Sequence, residues 1–147
     1  ATFSDGNDPG TAICREVAPV AGETLSIKND ASAFHGTALQ DALQARHIEW
    51  LMVCGVWTEA CVAATLRDAI ALGFRVLLVK DACGSGSPVM HQTAVLNLAN
   101  RLYGGGVADT ERAITLLSGE EAGIWRTEKP VPVLFTAASL AADYAAL

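Results

Sequence analysis

The stretch that decides the fold is VCGVWTEACV, residues 53–62. It closes an apolar run of strand length, predicted as a strand over residues 49–54, and breaks at Gly55. Thr58 is the predicted N-cap of a helix over residues 59–72, with Gly73 as its C-cap. Cys61 would then occupy the third helical position, where unpaired backbone N–H groups and the positive end of the helix dipole converge.

Cys61 is therefore the candidate nucleophile of the chain. Only the thiolate is a strong nucleophile, and the positive end of a helix dipole favours the thiolate. The same N–H groups could hold the oxyanion that forms when a thiolate attacks a carbonyl. The alternative is that Cys61 is a small buried hydrophobic residue, as most free cysteines are.

Composition indicates one domain with a substantial core. The chain has 147 residues, of which 51% are hydrophobic, so some surface is expected to be reserved for another subunit. A net charge of −6 without a basic stripe argues against nucleic-acid binding. No apolar stretch reaches the roughly 18–20 residues of a membrane span, and the first residues do not resemble a signal peptide. We expect a cytoplasmic protein that binds neither nucleic acid nor membrane.

The cysteines and histidines do not form a metal-binding pattern. The four cysteines are widely spaced and are expected to be reduced thiols: Cys14, Cys54, Cys61 and Cys83. The three histidines are scattered, and neither CxxC nor His-x-x-x-His occurs. We expect no metal and no organic cofactor.

Strands and helices alternate along the chain. The predicted elements are an extended segment over residues 13–20, a strand at 24–28, a helix at 36–47, a strand at 76–79, a helix capped by Ser87 and begun by Pro88, a short strand around Val107 and a helix at 110–117. Continuous apolar strands in this order predict an α/β fold with a doubly wound parallel sheet. Ligands bind at the carboxyl ends of such strands, here residues 55–61 and 81–86. Residues 1–118 are assigned to this domain, and residues 119–147 to an extension that packs back on it or reaches a neighbour.

These residues resemble the isochorismatase-like cysteine hydrolases, which include nicotinamidases, N-carbamoylsarcosine amidase, ureidoacrylate amidohydrolase and biuret hydrolase. The resemblance covers about residues 10–118. It is carried by the following segments: Ile27-Lys28, SAFHGTAL at 32–39, GVWTEACV at 55–62, ATLRDA at 64–69, Gly73 and VKDA at 79–82.

The resemblance implies a Rossmann-like three-layer sheet with a Cys–Lys–Asp catalytic triad. Cys61 would become acylated, Lys28 would hold the thiolate and shuttle protons, and the N–H groups of Trp57 and Cys61 would form the oxyanion hole. It also implies a non-proline cis peptide at Val56–Trp57. Lys28 precedes Cys61 by 33 positions (61 − 28), a spacing that resembles the carbamoyl amidases more than the nicotinamidases.

Plainer interpretations exist for the other candidates. Lys28 could be a strand-end lysine with its ammonium group in water. Trp57 could wall a substrate pocket or be a core aromatic residue, and His35 is a candidate substrate contact. For His91, hydrogen bonding at a helix start is favoured over catalysis.

The chain departs from the family pattern at the catalytic aspartate. In the family this residue ends an apolar first strand, and no such strand precedes Lys28; Asp5 and Asp8 lie in a polar loop and do not replace it. The chain is therefore expected to lack the first strand or strands and to expose apolar sheet edges. Our hypothesis is that it is the C-terminal part of a split, nicked or truncated hydrolase in a homo- or hetero-oligomer, with a companion chain that supplies the aspartate.

The predicted function is hydrolysis of a C–N bond in a small amide or ureido/carbamoyl compound through an acyl-enzyme. One alternative is vinyl-ether hydrolysis as in the isochorismatases proper, which do not use this cysteine. The other is a non-catalytic subunit that retains the fold.

Overall fold

The structure, a computed structural model, describes residues 9–127 and 133–147. The strands are β1 (Trp50–Val56), β2 (Arg75–Gly84) and β3 (Gly106–Ala108). The helices are α1 (Leu39–Ala45), α2 (Ala63–Ala71), α3 (Pro88–Ala99), α4 (Thr110–Leu117) and α5 (Leu140–Ala145). A π-helical turn at Thr58–Val62 precedes α2, and short 3-10 turns lie at Pro9–Thr11 and Arg15–Val17.

The three strands form a parallel sheet in the order β1-β2-β3, which confirms the predicted α/β class. Strand β2 lies in the centre, and five consecutive residues from Val76 to Lys80 are buried in it. A strand buried on both faces needs a continuous apolar run instead of an alternating one, and residues 76–79 supply it. Leu78 pairs with Val53 on one side and with Val107 on the other.

The core lies between the sheet and the helices, of which α2, α3 and α4 each contact β2. Leu66 of α2 and Leu96 of α3 are fully buried. Gly105 leads into β3, and a Cβ atom there would lie 2.0 Å from the carbonyl oxygen of Val76, so only glycine fits this close approach.

One edge of the sheet exposes apolar residues. Strand β1 has no strand partner on its outer edge in the described part of the chain. Burial alternates along it, and its exposed side chains are Trp50, Met52, Cys54 and Val56. The alternation is typical of a strand with one uncovered face, yet the uncovered residues are apolar. An exposed apolar edge is what the sequence led us to expect.

The strand predicted over residues 24–28 is wrong. This segment has no strand, and Leu25 and Ile27 are 61% and 79% exposed. A strand needs a neighbour for its backbone hydrogen bonds, and none pairs with this segment among the described residues.

Other element boundaries also shift. The extended segment predicted over residues 13–20 is interrupted by the turn at Arg15–Val17, and the helix predicted over 36–47 is limited to Leu39–Ala45. Strand β2 continues to Gly84, well past the predicted end at Val79. Asp5 and Asp8, in the predicted N-terminal loop, lie outside the described residues.

The chain after α4 packs on the domain. Trp125 forms an antiparallel bridge with Val107. We call residues 133–147 the C-terminal segment; its helix α5 packs against α3, and its Leu140 and Leu147 are buried. None of the helices in the described part of the chain is long and apolar enough to cross a membrane.

The central strand should dominate stability. Leu78 is fully buried in β2, so we expect Leu78→Ala to lower the free energy of unfolding by about 2–5 kcal/mol. The matched control is Leu117→Ala, because Leu117 is 73% exposed and should lose less than about 0.5 kcal/mol. Urea denaturation followed by circular dichroism measures both, and equal losses would contradict the placement of the core.

Candidate active site

The predicted site lies where β1 and β2 end side by side. Gly55 pairs with Cys83 and Val56 with Gly84, after a register irregularity between Val53 and Gly55. Gly55 has φ of +122°, a conformation that L side chains rarely adopt, so the glycine permits this bend. The peptide bond Val56–Trp57, one residue further on, is cis, as the family resemblance implied.

Cys61 lies in the π-helical turn that follows the cis peptide. The N–H of Val62 donates to the Trp57 carbonyl at 3.1 Å, and the N–H of Ala63 donates to the Thr58 carbonyl. The prediction of one regular helix over residues 59–72 is therefore wrong in its first turn: the π turn comes first and the α-helix begins at Ala63. Such wide turns are frequent at functional sites. Cys61 is partly exposed, so a small reagent can reach it.

Thr58 does not cap the helix as predicted. The N-cap position is Trp57, and no side chain provides a cap there. The hydroxyl of Thr58 is buried and donates instead to the Gly84 carbonyl at 2.8 Å, with His91 Nδ1 at 2.9 Å on its other side. These two tertiary hydrogen bonds replace the N-cap hydrogen bond that was predicted for Thr58.

His91 extends this contact toward the C-terminal segment. Its Nε2 lies 3.1 Å from the hydroxyl of Tyr144, and the two rings meet edge to face. Burial lowers the pKa of His91, against smaller opposing effects of the Lys80 backbone and the Glu59 carboxylate. The ring is thus hydrogen-bonded on both nitrogens at the first turn of α3, in agreement with the interpretation favoured from the sequence. The Ser87 cap of this helix is present, because the Ser87 hydroxyl accepts from the Met90 N–H.

The two groups predicted for the oxyanion hole belong to the π turn and its N-cap: Cys61 lies in the turn and Trp57 precedes it. The Trp57 N–H forms no hydrogen bond to any other described residue, and the Cys61 N–H forms none outside the turn in the same part of the chain. The Trp57 side chain is half exposed and stands beside Gly86, where a Cβ atom would lie 3.7 Å from its ring. Its place beside the nucleophile suits a pocket wall, and its role stays a prediction.

Lys28 and His35 are not brought to Cys61. Lys28 is exposed, and its Nζ donates to the Asp30 carbonyl at 2.8 Å. His35 is also exposed, with Nε2 3.8 Å from an Asp30 carboxylate oxygen. No hydrogen bond links either residue to Cys61 across residues 9–127 and 133–147. Their catalytic and substrate-binding roles stay predictions.

The chain between these residues and α1 is nevertheless anchored on the domain. The N–H of Ala33 donates to the Thr65 hydroxyl of α2 at 3.0 Å. The ring of Phe34 stacks on Phe74, with 5.9 Å between ring centroids. The motif SAFHGTAL is therefore held against α2, whereas Lys28 precedes this anchor and lies on the surface.

Sequence reasoning missed the contact between Glu59 and Ser85. The Ser85 hydroxyl donates to the Glu59 carboxylate at 2.6 Å and ties the π turn to the loop after β2. This hydrogen bond lowers the pKa of Glu59. The contact could have been predicted from the sequence, because both residues follow neighbouring parallel strands and side chains converge at the carboxyl ends of such strands.

Lys80 and Tyr144 were missed as a pair. Lys80 is buried, its Nζ donates to the Tyr144 carbonyl at 3.0 Å, and the same atom lies 4.8 Å from the centre of the Tyr144 ring. Burial lowers the pKa of Lys80, because the charged form is desolvated. The two residues lie 64 positions apart, so no local sequence pattern predicts that they form a contact.

Asp81 supports the neighbouring helix. Its carboxylate accepts from the Thr110 N–H at 2.7 Å and from the Thr110 hydroxyl at 2.9 Å, which fixes the start of α4. In the described residues, no group of three or more His, Cys, Asp or Glu side chains is arranged to hold a metal ion.

A groove of about 760 Å³ lies between α2 and α3, lined by residues that include Glu59, Arg67, Met90 and Tyr103. Cys61 is not among its lining residues. We place the candidate chemistry at the strand ends, because position relative to the nucleophile matters more than the size of a groove.

The family model described as Isochorismatase domain matches residues 2–112. The chain belongs to the isochorismatase family. It is 34% identical over 100 residues to a maleamate amidohydrolase of Pseudomonas putida, covering 68% of this chain and 46% of that protein. It is 36% identical over 101 residues to an N-carbamoylsarcosine amidase of an Arthrobacter species, covering 69% and 38% of the two chains.

The structural comparison gives the same family. An isochorismatase-like hydrolase from Alkaliphilus metalliredigens superposes with a TM-score of 0.71 at 26% identity, covering 76% of this chain and 59% of that one. The chain thus spans less than half the length of each of these two curated relatives and about three fifths of this solved structure.

The cysteines should differ in reactivity. Burial raises the pKa of the Cys83 thiol to about 11, so at pH 8 only about one Cys83 in a thousand is a thiolate. Cys14 is exposed, and we expect iodoacetamide to modify it at least about tenfold faster than Cys83.

The measurement is time-resolved alkylation at pH 8 with quantification of each peptide by mass spectrometry. In urea the two thiols should react at similar rates, which controls for local sequence. Equal rates in the folded protein would contradict the burial of Cys83.

Proposed function

We propose that the protein is a cysteine-dependent hydrolase that cleaves a C–N bond in a small amide or ureido/carbamoyl compound. The observation that carries the proposal is the position of Cys61. It is partly exposed, in the turn after a cis peptide, at the carboxyl ends of two parallel strands. Two relatives named maleamate amidohydrolase and N-carbamoylsarcosine amidase support the substrate class.

The proposed reaction has two stages. The Cys61 thiolate attacks the substrate carbonyl carbon, a C–S bond forms, and the negative charge on oxygen is stabilised by the N–H groups of Trp57 and Cys61. The oxyanion then collapses and the C–N bond breaks, with Lys28 donating a proton to the departing nitrogen. Water attacks the thioester, the C–S bond breaks, and the acid and the thiol are released.

Lys28 lies on the surface, where its ammonium group donates to the Asp30 carbonyl. We propose that a companion chain brings it into place by pairing a strand with the free edge of β1. That strand would carry the catalytic aspartate at its carboxyl end, beside Cys61, and other parts of the companion would cover the exposed face of β1 that bears Trp50, Met52 and Val56. The assembly would be a cytoplasmic homo- or hetero-oligomer.

A non-catalytic subunit is the second candidate function. The observation that favours it is that Lys28 is exposed and forms no hydrogen bond with Cys61 in the described residues. Iodoacetamide discriminates between the two: a scaffold's Cys61 should react no faster than Cys14, whereas a nucleophile should label faster near neutral pH. Vinyl-ether hydrolysis is disfavoured because it would leave Cys61 without a role.

The direct test of the nucleophile is Cys61→Ala. We expect turnover to fall by at least about a thousandfold in a screen of small amides and N-carbamoyl compounds, because no acyl-enzyme can form. Cys14→Ala is the matched control and should retain wild-type turnover, since Cys14 is exposed and outside the site. Circular dichroism must show both variants folded. An active, folded Cys61→Ala protein would refute the nucleophile.

The test of the companion is the native mass of the purified sample. We expect a second chain, or a second copy, bound at the β1 edge. Met52→Glu should abolish this association, because a carboxylate on the exposed face of β1 would be buried against the companion chain. Ile114→Glu is the matched control, since Ile114 is 57% exposed on α4 and should leave the assembly intact. A folded 15.3 kDa monomer with full activity would defeat the idea.

A further inference from the structure

We propose that Tyr144 in the C-terminal segment is a positioning residue for Cys61, acting through His91 and Thr58. The inference rests on the proposed function of Cys61 as the nucleophile. The three side chains form a continuous path from α5 to the π turn, with hydrogen-bond distances of 3.1 Å and 2.9 Å.

The direction of each hydrogen bond in this path follows from counting protons. Thr58 has one hydroxyl proton, and the Gly84 carbonyl can only accept, so that proton points to Gly84. The Thr58 oxygen must then accept from His91, which places a proton on Nδ1. A neutral imidazole has one proton, so Nε2 is an acceptor and the Tyr144 hydroxyl is its donor.

Tyr144 reinforces the tautomer of His91 that Thr58 favours. Without the Tyr144 hydroxyl, only the contact with Thr58 favours a proton on Nδ1, so a larger share of the rings carries the proton on Nε2. In that share Nδ1 cannot donate, so Thr58 loses a partner that keeps its hydroxyl away from the helix N-terminus. Thr58 lies three residues before Cys61. If its hydroxyl bonded the N–H groups at the helix N-terminus, the conformation of the π turn that carries the thiol would change.

Tyr144 is held firmly enough to serve this role. Buried Lys80 donates to its carbonyl and lies over its ring, so one side chain fixes both the backbone and the aromatic group. Asn100, the C-cap residue of α3, bonds both the carbonyl and the N–H of Val133, which anchors the start of the segment. Helix α5 has only six residues, too few to be stable alone, so these contacts determine where Tyr144 lies.

The experiment compares Tyr144→Phe with Tyr103→Phe in the intact native assembly. Both changes delete one phenolic hydroxyl, and Tyr103 is 63% exposed and lies outside the path. The two readouts are the His91 tautomer from ¹⁵N chemical shifts and the rate of Cys61 alkylation by iodoacetamide at pH 7. For Tyr144→Phe we expect the Nδ1–H share to fall and alkylation to slow about tenfold, while Tyr103→Phe leaves both unchanged.

Each outcome decides the inference. An unchanged tautomer in folded Tyr144→Phe overturns it, and so does slower alkylation without a tautomer change, which would mean a merely structural role. A shifted tautomer with wild-type alkylation also overturns the positioning of Cys61. Failure of the proposed function would be seen in a different experiment, as retained turnover in Cys61→Ala. That result would not change the tautomer of His91.

Discussion

The hydrogen bond from the Thr58 hydroxyl to the Gly84 carbonyl joins the end of β1 to the end of β2 at the point where both chains leave the sheet. Parallel strands provide no covalent hairpin at this edge, so a side chain has to fix the distance between the two connections. Thr58 is fully buried, and an unpaired hydroxyl there would carry a desolvation cost of about 1–3 kcal/mol. The cis peptide, the π turn and the loop carrying Ser85 are all arranged around this bond.

The same sheet shows where the described chain leaves backbone groups open to pairing. β2 is buried on both faces, and β1 is a flank with four exposed side chains and no outer partner among the described residues. Leu25 and Ile27 are exposed on a segment without secondary structure. Backbone N–H and C=O groups need hydrogen-bond partners, so the outer edge of β1 and the segment with Leu25 and Ile27 are the two stretches whose backbone is open to a further strand.

Local signals in the sequence predicted the parts of the fold that local physics controls. Residues 50–54 and 76–79 are continuous apolar runs, and Ser87 followed by Pro88 specifies a helix start without help from the rest of the chain. Thr58 shows where this fails. Threonine favours the N-cap position, but the hydroxyl of Thr58 instead bonds the Gly84 carbonyl and His91 Nδ1, which lie 26 and 33 positions away in the sequence. Family resemblance supplied the cis peptide at Val56–Trp57, which no propensity indicates.

The residues of the candidate site also differ in whether local sequence signals could predict them. Cys61 and Trp57 could be predicted because they belong to one short strand–turn–helix stretch. Lys28 could be named only by resemblance, because the residues around it do not distinguish a catalytic lysine from a surface lysine. Tyr144 could not be predicted at all, since its contacts with Lys80 and His91 span 64 and 53 positions. The turn that carries Cys61 is therefore specified locally but held in place by distant groups, so its geometry should respond to changes in α5 that leave the motif itself intact.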